Sequence, residues 1–127
     1  MSSISAIAQS GIAAANSMLN VSASNIANIA DTSPVGAVGA YDPSQVEASP
    51  TPGGGVTTQA VTVKPAQLLA YDPASPMANA QGFVDMPEID PVTEVINQLT
   101  AGTAFAYSLA ALKVANEEQQ QTLDMTA

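Results

Sequence analysis

The opening segment of the chain ends in Ser22-Ala-Ser-Asn-Ile-Ala-Asn-Ile-Ala-Asp-Thr32, and it carries no Asp, Glu, Lys or Arg in residues 1–30. Apolar and small residues nevertheless recur in it at alternating intervals of four and three, at Ala8, Ile12, Ala15, Leu19, Ser22, Ile26 and Ile29. This spacing is typical of one side of a coiled-coil helix. It predicts a helix over about residues 3–30 that packs against another helix.

Three polar residues, Ser24, Asn25 and Asn28, lie among these apolar positions near the end of the predicted helix. A buried amide lowers stability unless it is hydrogen-bonded, and a polar residue in a helix seam can fix which residues face each other. Two interpretations therefore stay open. The amides either face solvent at a helix end, or they lock the register between packed helices.

The composition limits the size of any core. The chain has 127 residues, which allows one domain at most, and it contains two Phe, three Tyr and no Trp. Packing of helices through small residues is therefore expected rather than a deep globular interior. The absence of Cys also excludes a disulfide framework.

The charge excludes two classes of partner. The net charge is −9, because eleven acids stand against only Lys64 and Lys113. Nucleic acids and anionic membrane surfaces both attract clustered Lys and Arg, so neither is expected as a partner. The sequence contains no run of roughly eighteen apolar residues, so no membrane-spanning helix is predicted. The N-terminus also lacks the basic and apolar regions of a cleaved secretory signal.

The sequence predicts no catalytic residue, no cofactor and no metal site. Without His or Cys, the common nucleophile–base pairs and thiolate or imidazole metal sites are absent. Gly53-Gly-Gly55 lacks the Lys and Ser or Thr of a phosphate loop and is interpreted as a hinge. Asp85, Glu88 and Asp90 lack the spacing of a Ca²⁺ loop and are interpreted as turn and cap residues. An enzyme is therefore not expected.

The middle of the chain, residues 31–90, has a different character. It contains eight of the nine prolines and six of the eight glycines. Asp31-Thr-Ser-Pro34 is expected to stop the first helix, because the residue before Pro avoids the α conformation. The β-branched stretch Val56–Val63 predicts a strand, for which Gln67–Tyr71 or Phe83–Met86 could be the partner.

A second helix is predicted to begin at residue 91. Asp90 suits the N-cap, Pro91 the first helical position and Glu94 the positive end of the helix dipole. Its apolar seam comprises Val92, Val95, Leu99, Gly102, Ala106 and Leu109. The predicted fold is mostly α: two long terminal helices, in residues 1–32 and 91–127, pack as a coiled-coil-like pair, with a Pro/Gly-rich, partly β excursion in residues 33–90.

Two parts of the sequence resemble the flagellar axial proteins of the rod and hook. Ser24-Asn-Ile-Ala-Asn28, after an uncharged helix, resembles a signature of that family. The segment before the last helix resembles the proximal-rod members; it reads Tyr71-Asp-Pro-Ala-Ser-Pro-Met-Ala-Asn-Ala-Gln-Gly-Phe-Val-Asp-Met-Pro-Glu-Ile-Asp90. The resemblance covers nearly the whole chain and is strongest in residues 20–30 and 67–124.

This resemblance implies a structural subunit of the bacterial flagellar basal-body rod. In that family the terminal helices stack with neighbouring subunits as the inner wall of a hollow tube, and the middle of the chain faces outward. The implied partners are copies of the chain itself, other rod subunits and the flagellar type III export apparatus, through which the subunit passes without a cleaved signal. The implied location is the periplasm-spanning rod.

The assembly interface is predicted to combine packing residues with residues that set register. Ser24, Asn25 and Asn28 would set the register. The predicted packing residues are Ile12, Leu19, Ile26, Ile29, Val95, Leu99, Phe105, Leu109 and Leu112. The alternative to a rod subunit is a soluble adaptor that does not polymerise and presents an amphipathic helix to a groove on a partner.

Overall fold

The computed structural model describes residues 3–126 as two long helices joined by two antiparallel β-hairpins. The helices pack against each other, so the predicted mostly α fold with a partly β excursion is confirmed. The first hairpin pairs β1 with β2, and the second pairs β3 with β4. The elements are α1 (Ser3–Ala27), β1 (Ser44–Pro50), β2 (Val56–Thr62), β3 (Gln67–Tyr71), β4 (Phe83–Pro87) and α2 (Pro91–Thr126).

The two helices run antiparallel, as two contacts show. Near the end of α1, the Ser22 Oγ donates a hydrogen bond of 3.0 Å to the Glu94 carbonyl at the start of α2. Nearer the start of α1, a methyl group added to Gly11 would collide with the Ser108 Oγ. Gly11 costs helix propensity, but its missing side chain lets α1 and α2 approach closely.

The α1 side of this contact is the row predicted from the spacing of its residues. Ala8, Ala15 and Ser22 are buried. Ile12, Leu19 and Ile26 are half-buried between them. Local periodicity therefore identified the face of α1 that packs on α2.

The α2 side uses a different row from the one that its apolar residues suggested. Every member of the predicted seam from Val92 to Leu109 is exposed. The row against α1 has the same spacing of four and three but starts at Glu94, and its members are buried or half-buried: Glu94, Gln98, Ala101, Phe105, Ser108, Leu112, Ala115 and Gln119. Its most buried apolar members, Ala101 and Ala115, are small, which suits the close approach of α1.

The first helix ends at Ala27, three residues before the predicted end, and residues 28–30 form turns. The Asn28 Nδ2 donates a hydrogen bond of 2.8 Å to the Ser24 carbonyl. The Asn28 backbone N–H is shared between the carbonyls of Ser24 and Asn25, at 3.2 Å each. Hydrogen bonds within the last turn thus end α1 several residues before Pro34.

The predicted strand at Val56–Val63 forms as β2, but both suggested partners are wrong. β2 pairs with β1 over its whole length, with Val56 opposite Pro50 and Thr62 opposite Ser44. The two suggested partners pair with each other as β3 and β4. The sequence of β1 holds one β-branched residue and a proline, so the strand is sustained by its pairing with β2 rather than by its own propensity.

Gly53-Gly-Gly55 is a tight turn packed on α1, and not the hinge that the sequence suggested. All three glycines have positive φ, of 93°, 95° and 89°. A methyl group on Gly54 would lie 2.7 Å from the Ile7 Cδ1, and one on Gly55 would lie 2.5 Å from the Ser10 Oγ. The Ser10 Oγ accepts a hydrogen bond of 3.1 Å from the Val56 backbone N–H. The turn therefore fastens the first hairpin to the early part of α1.

Candidate assembly interface

Asn25 joins both helices to the first hairpin. Its side chain is 2% exposed, and its Nδ2 donates to the Glu94 Oε1 at 2.7 Å and to the Ser44 carbonyl at 2.8 Å. Its Oδ1 accepts from the Tyr41 hydroxyl at 3.0 Å and from the Ser44 N–H at 3.1 Å. Both donors and both acceptor positions of the amide are thus used. The solvent-facing interpretation is wrong for Asn25, which holds α1, α2 and β1 in register within one chain.

The carboxylate of Glu94 occupies the centre of this junction. Glu94 is 9% exposed, and within residues 3–126 it is held by the Asn25 amide rather than by a cation. Its position in the first turn of α2 places the negative charge at the favourable end of the helix dipole. Burial, together with the Glu94 charge, raises the pKa of Tyr41 above its usual range. The junction therefore favours an un-ionised Tyr41.

Asp90 caps α2 as predicted. Its Oδ1 accepts from the Val92 N–H at 3.1 Å, and its Oδ2 accepts from the Thr93 Oγ1 at 2.6 Å and the Thr93 N–H at 3.3 Å. The hydrogen bonds from the Thr93 side chain and from the backbone hold the pKa of Asp90 below its usual range. This cap fixes where α2 begins and so where Glu94 meets Asn25.

The predicted α2 seam forms an exposed row, here called the outer row of α2. Val95 is 59%, Leu99 72% and Leu109 49% exposed. No other helix or strand of the described chain packs on α2 besides α1, which covers the other row. The outer row consists of Val92, Val95, Leu99, Gly102, Ala106, Leu109 and Lys113. Such an uncovered apolar helix face is a typical contact surface for another molecule.

The structure divides the predicted interface residues into two groups. Val95, Leu99 and Leu109 lie on the outer row of α2. The remaining packing residues lie in the contact between the helices or just past the end of α1, and all are half-buried: Ile12, Leu19, Ile26, Ile29, Phe105 and Leu112. Ser24 is exposed, and Asn28 is half-buried at the end of α1. Their roles in contacts between subunits stay predictions.

Two members of the junction were missed at the sequence level. Tyr41 and Ser44 reach Asn25 from the loop after α1 and from the first residue of β1. No local pattern marks them, because the junction forms only when α1, β1 and α2 come together. The buried amide was the one available signal, since it required hydrogen-bond partners from elsewhere in the chain.

α2 extends past the beginning of α1. α2 has 36 residues and α1 has 25. Because Gly11 lies opposite Ser108, about ten residues of α2, or about 15 Å, extend beyond Ser3. Met125 in this extension is 87% exposed.

Residues 3–126 show no feature of a membrane span or a metal centre. Neither helix combines the length and the apolar character needed to cross a membrane. No three His, Cys, Asp or Glu side chains in this part of the chain converge on a point where an ion could bind.

A terminal helix pair with an uncovered apolar row is typical of a structural protein that associates with other molecules. Comparison with known proteins identifies the family. The chain is 35% identical over 126 residues to the flagellar basal-body rod protein FlgC of Salmonella typhimurium, with 94% of this chain and 92% of the relative covered. It is 34% identical over 126 residues to FlgC of Escherichia coli O157:H7, with 94% and 92% covered.

A more distant relative is FlgC of Aquifex aeolicus, 28% identical over 130 residues, with 93% of this chain and 91% of the relative covered. No family model matches the chain. The chain belongs to the FlgC family of flagellar basal-body rod proteins. It is a structural, non-enzymatic rod subunit of the basal body, which confirms the sequence resemblance and replaces the adaptor interpretation.

Proposed function

We propose that the chain polymerises through its terminal helices, with copies of itself and with other rod subunits, into a helical tube that transmits torque and lines the export channel. The observation that carries this proposal is the outer row of α2, which leaves Val95, Leu99 and Leu109 exposed. A helix with a large apolar row open to water gains stability when a neighbour covers it.

The proposed mechanism is folding coupled to assembly. In the described part of the chain, the buried aliphatic residues are five alanines and Val84. Alanine removes little apolar area from water, so burial leaves the isolated chain only a small net stability after the cost of ordering two long helices. Contacts with several neighbours would supply the rest, after export through the type III apparatus as an unfolded chain.

The same reasoning divides the chain by role. Residues 1–32 and 91–127 would form the tube core, and residues 33–90 would face outward; residues 1, 2 and 127 of this division lie outside the described part. Six of the eleven acids lie in residues 33–90, and none lies in residues 3–30 or 95–116. An inner helical part with little charge suits close packing between subunits, while an acidic outer part stays hydrated.

Leu109→Asp tests the proposal, and Val38→Asp is its matched control. Both exchange an exposed apolar residue for a carboxylate, but Leu109 lies on the outer row and Val38, 106% exposed, lies in the loop after α1. We expect both purified chains to keep the circular dichroism of the unaltered protein. In cells, basal bodies should contain the Val38→Asp chain and lack the Leu109→Asp chain, because a charge cannot be buried unpaired between subunits. Normal incorporation of Leu109→Asp would refute the proposal.

A further inference from the structure

We propose that a cleft beside Glu94 binds the side chain of an Arg or Lys from a second protein, one that is not a copy of this chain. The partner is defined by its chemistry, an aliphatic stem that ends in a guanidinium or ammonium group. The cleft contains none of the residues of the outer row of α2. This inference therefore stands apart from the proposed polymerisation, and it can fail without it.

The cleft lies where the end of α1, the start of β1, residues 63–65 and the start of α2 meet. Its volume is about 560 Å³. Cavities that bind ligands typically have volumes of about 300–1,000 Å³. The aliphatic residues of its lining are all half-buried, and they are Met18, Val21, Val46, Val63 and Ile89. The aliphatic stem of an Arg or Lys side chain can lie against such apolar walls while its charged end reaches a polar group.

The most buried charged group in the lining of the cleft is a carboxylate without a cation. Glu94 is 9% exposed, and its Oε1 accepts the hydrogen bond of 2.7 Å from the Asn25 Nδ2. Its Oε2 accepts only a long hydrogen bond of 3.5 Å, from the Asn97 Nδ2. No Lys in the described part of the chain forms an ion pair with it. A carboxylate that is buried and bonded only to neutral amides gains most from a cation, so the Oε2 is the atom to which the charged end of the ligand would donate.

The other charges around the cleft also favour a cation. The lining contains three acids, Glu88, Asp90 and Glu94, against one basic residue, Lys64. Lys64 is exposed, and within residues 3–126 it pairs with none of these acids. The net charge of −9 adds attraction at longer range for a basic protein. An acidic ligand would be repelled by the same charges.

A second copy of the chain is a poor source of this cation. The chain has no Arg and only two Lys. Lys64 already lies in the lining of its own cleft, and the Lys113 Nζ lies 3.9 Å from the Glu117 Oε1. A copy would also bring its own net charge of −9 to an acidic cleft. A different, basic protein therefore suits the site better.

A side chain of a bound protein also suits the site better than a free amine does. One carboxylate holds a free cation weakly, because the cation loses its translational and rotational freedom on binding. A side chain that the rest of an interface already positions loses much less freedom. The cleft is therefore assigned to an Arg or Lys that a neighbouring protein presents.

Titration of the full-length chain with N-acetyl-arginine amide tests the site, and N-acetyl-citrulline amide is the neutral probe of the same shape. NMR spectroscopy of the backbone amides reports where each probe binds and how tightly. Glu94→Gln keeps an acceptor for the Asn25 Nδ2 but removes the charge. Glu47→Gln is the matched control, because it removes one charge from an exposed position outside the cleft.

We expect the arginine probe to shift the amide signals of the cleft. It should bind the unaltered chain and Glu47→Gln alike, and at least about tenfold more tightly than it binds Glu94→Gln or than the citrulline probe binds the unaltered chain. Equal affinity of the two probes for the unaltered chain would overturn the inference without reference to any variant. Full binding to Glu94→Gln, or shifts only outside the cleft, would also overturn it.

Photo-crosslinking in assembled basal bodies tests the source of the cation. The photoreactive p-benzoylphenylalanine replaces Gln45, an exposed residue of the cleft. By mass spectrometry we expect a cross-link to a segment of another protein that carries Arg or Lys beside the attached residue. Addition of Glu94→Gln should reduce the yield several-fold, and addition of Glu47→Gln should not. A cross-link to a copy of this chain, no cross-link, or a yield that Glu94→Gln leaves unchanged would overturn the inference. None of these failures would bear on the exclusion of Leu109→Asp from basal bodies.

Discussion

The Asn25 Nδ2 lies 2.7 Å from the Glu94 Oε1, and this buried hydrogen bond joins the end of α1 to the first turn of α2 across 69 positions of the chain. The same amide accepts hydrogen bonds from Tyr41 and Ser44. One side chain therefore ties the start of the first hairpin to both helices.

Asn25→Leu should lower the free energy of unfolding by about 3 kcal/mol, because it removes the hydrogen-bond partner of several groups in the junction, including the Glu94 Oε1. Asn20→Leu is the control, since Asn20 is an exposed amide on the same helix and its replacement should change stability by less than about 0.5 kcal/mol. Urea unfolding followed by circular dichroism gives both values. Equal stability of the two variants would mean that the Asn25 hydrogen bonds do not hold the junction together.

The two helical glycines should respond in opposite ways to alanine. A methyl group on Gly102 meets nothing within 4 Å, so Gly102→Ala should raise the free energy of unfolding by up to about 1 kcal/mol. Gly11→Ala should lower it, because the new methyl collides with Ser108 and separates the helices. Adding Ser108→Ala to Gly11→Ala should recover part of the loss. A gain of stability from Gly11→Ala alone would contradict the close approach of α1 and α2.

The glycine turn allows a comparison in which backbone strain cancels. Gly53 and Gly54 both have positive φ, so alanine is strained at either position, but only the Gly54 methyl would meet the Ile7 side chain. Gly54→Ala should therefore destabilise the chain more than Gly53→Ala in thermal unfolding. Adding Ile7→Ala to each glycine variant should narrow the difference in thermal stability between Gly54→Ala and Gly53→Ala. Equal effects of the two glycine variants would show that the turn is not packed on α1.

Tyr41 should make stability depend on alkaline pH. Its pKa is raised in the folded chain, so the folded state holds the phenolic proton more tightly than the unfolded state does. The stabilising effect is complete below the unfolded pKa of about 10 and is lost as the pH rises through the folded value. Tyr41→Phe should remove this part of the pH dependence, whereas Tyr71→Phe, at an exposed ring, should retain it. Unfolding free energies measured from neutral to alkaline pH check this, and identical slopes for Tyr41→Phe and the unaltered chain would contradict it.

The parts of the fold that the sequence predicted correctly are those set by local spacing and local chemistry. The heptad row of α1 and the Asp90 cap follow from residues within a few turns of one helix. The pairing of β1 with β2 did not follow, because β1 has little strand propensity and depends on a distant partner. The row of α2 against α1 was also missed, because Ala101 and Ser108 face α1 while the more apolar Leu99 does not. Hydrophobicity identified a contact surface there, but one that the chain itself leaves open.

The extension of α2 past Ser3 has a mechanical consequence for any stack of these chains. In the proposed assembly, copies placed end to end would overlap along the about 15 Å of the extension. Torque would then be transmitted between two copies as shear along the sides of their helices, over an area that grows with the overlap. Removing the last turns of α2 would leave the fold of a single copy almost unaltered, but it would weaken every contact between stacked copies.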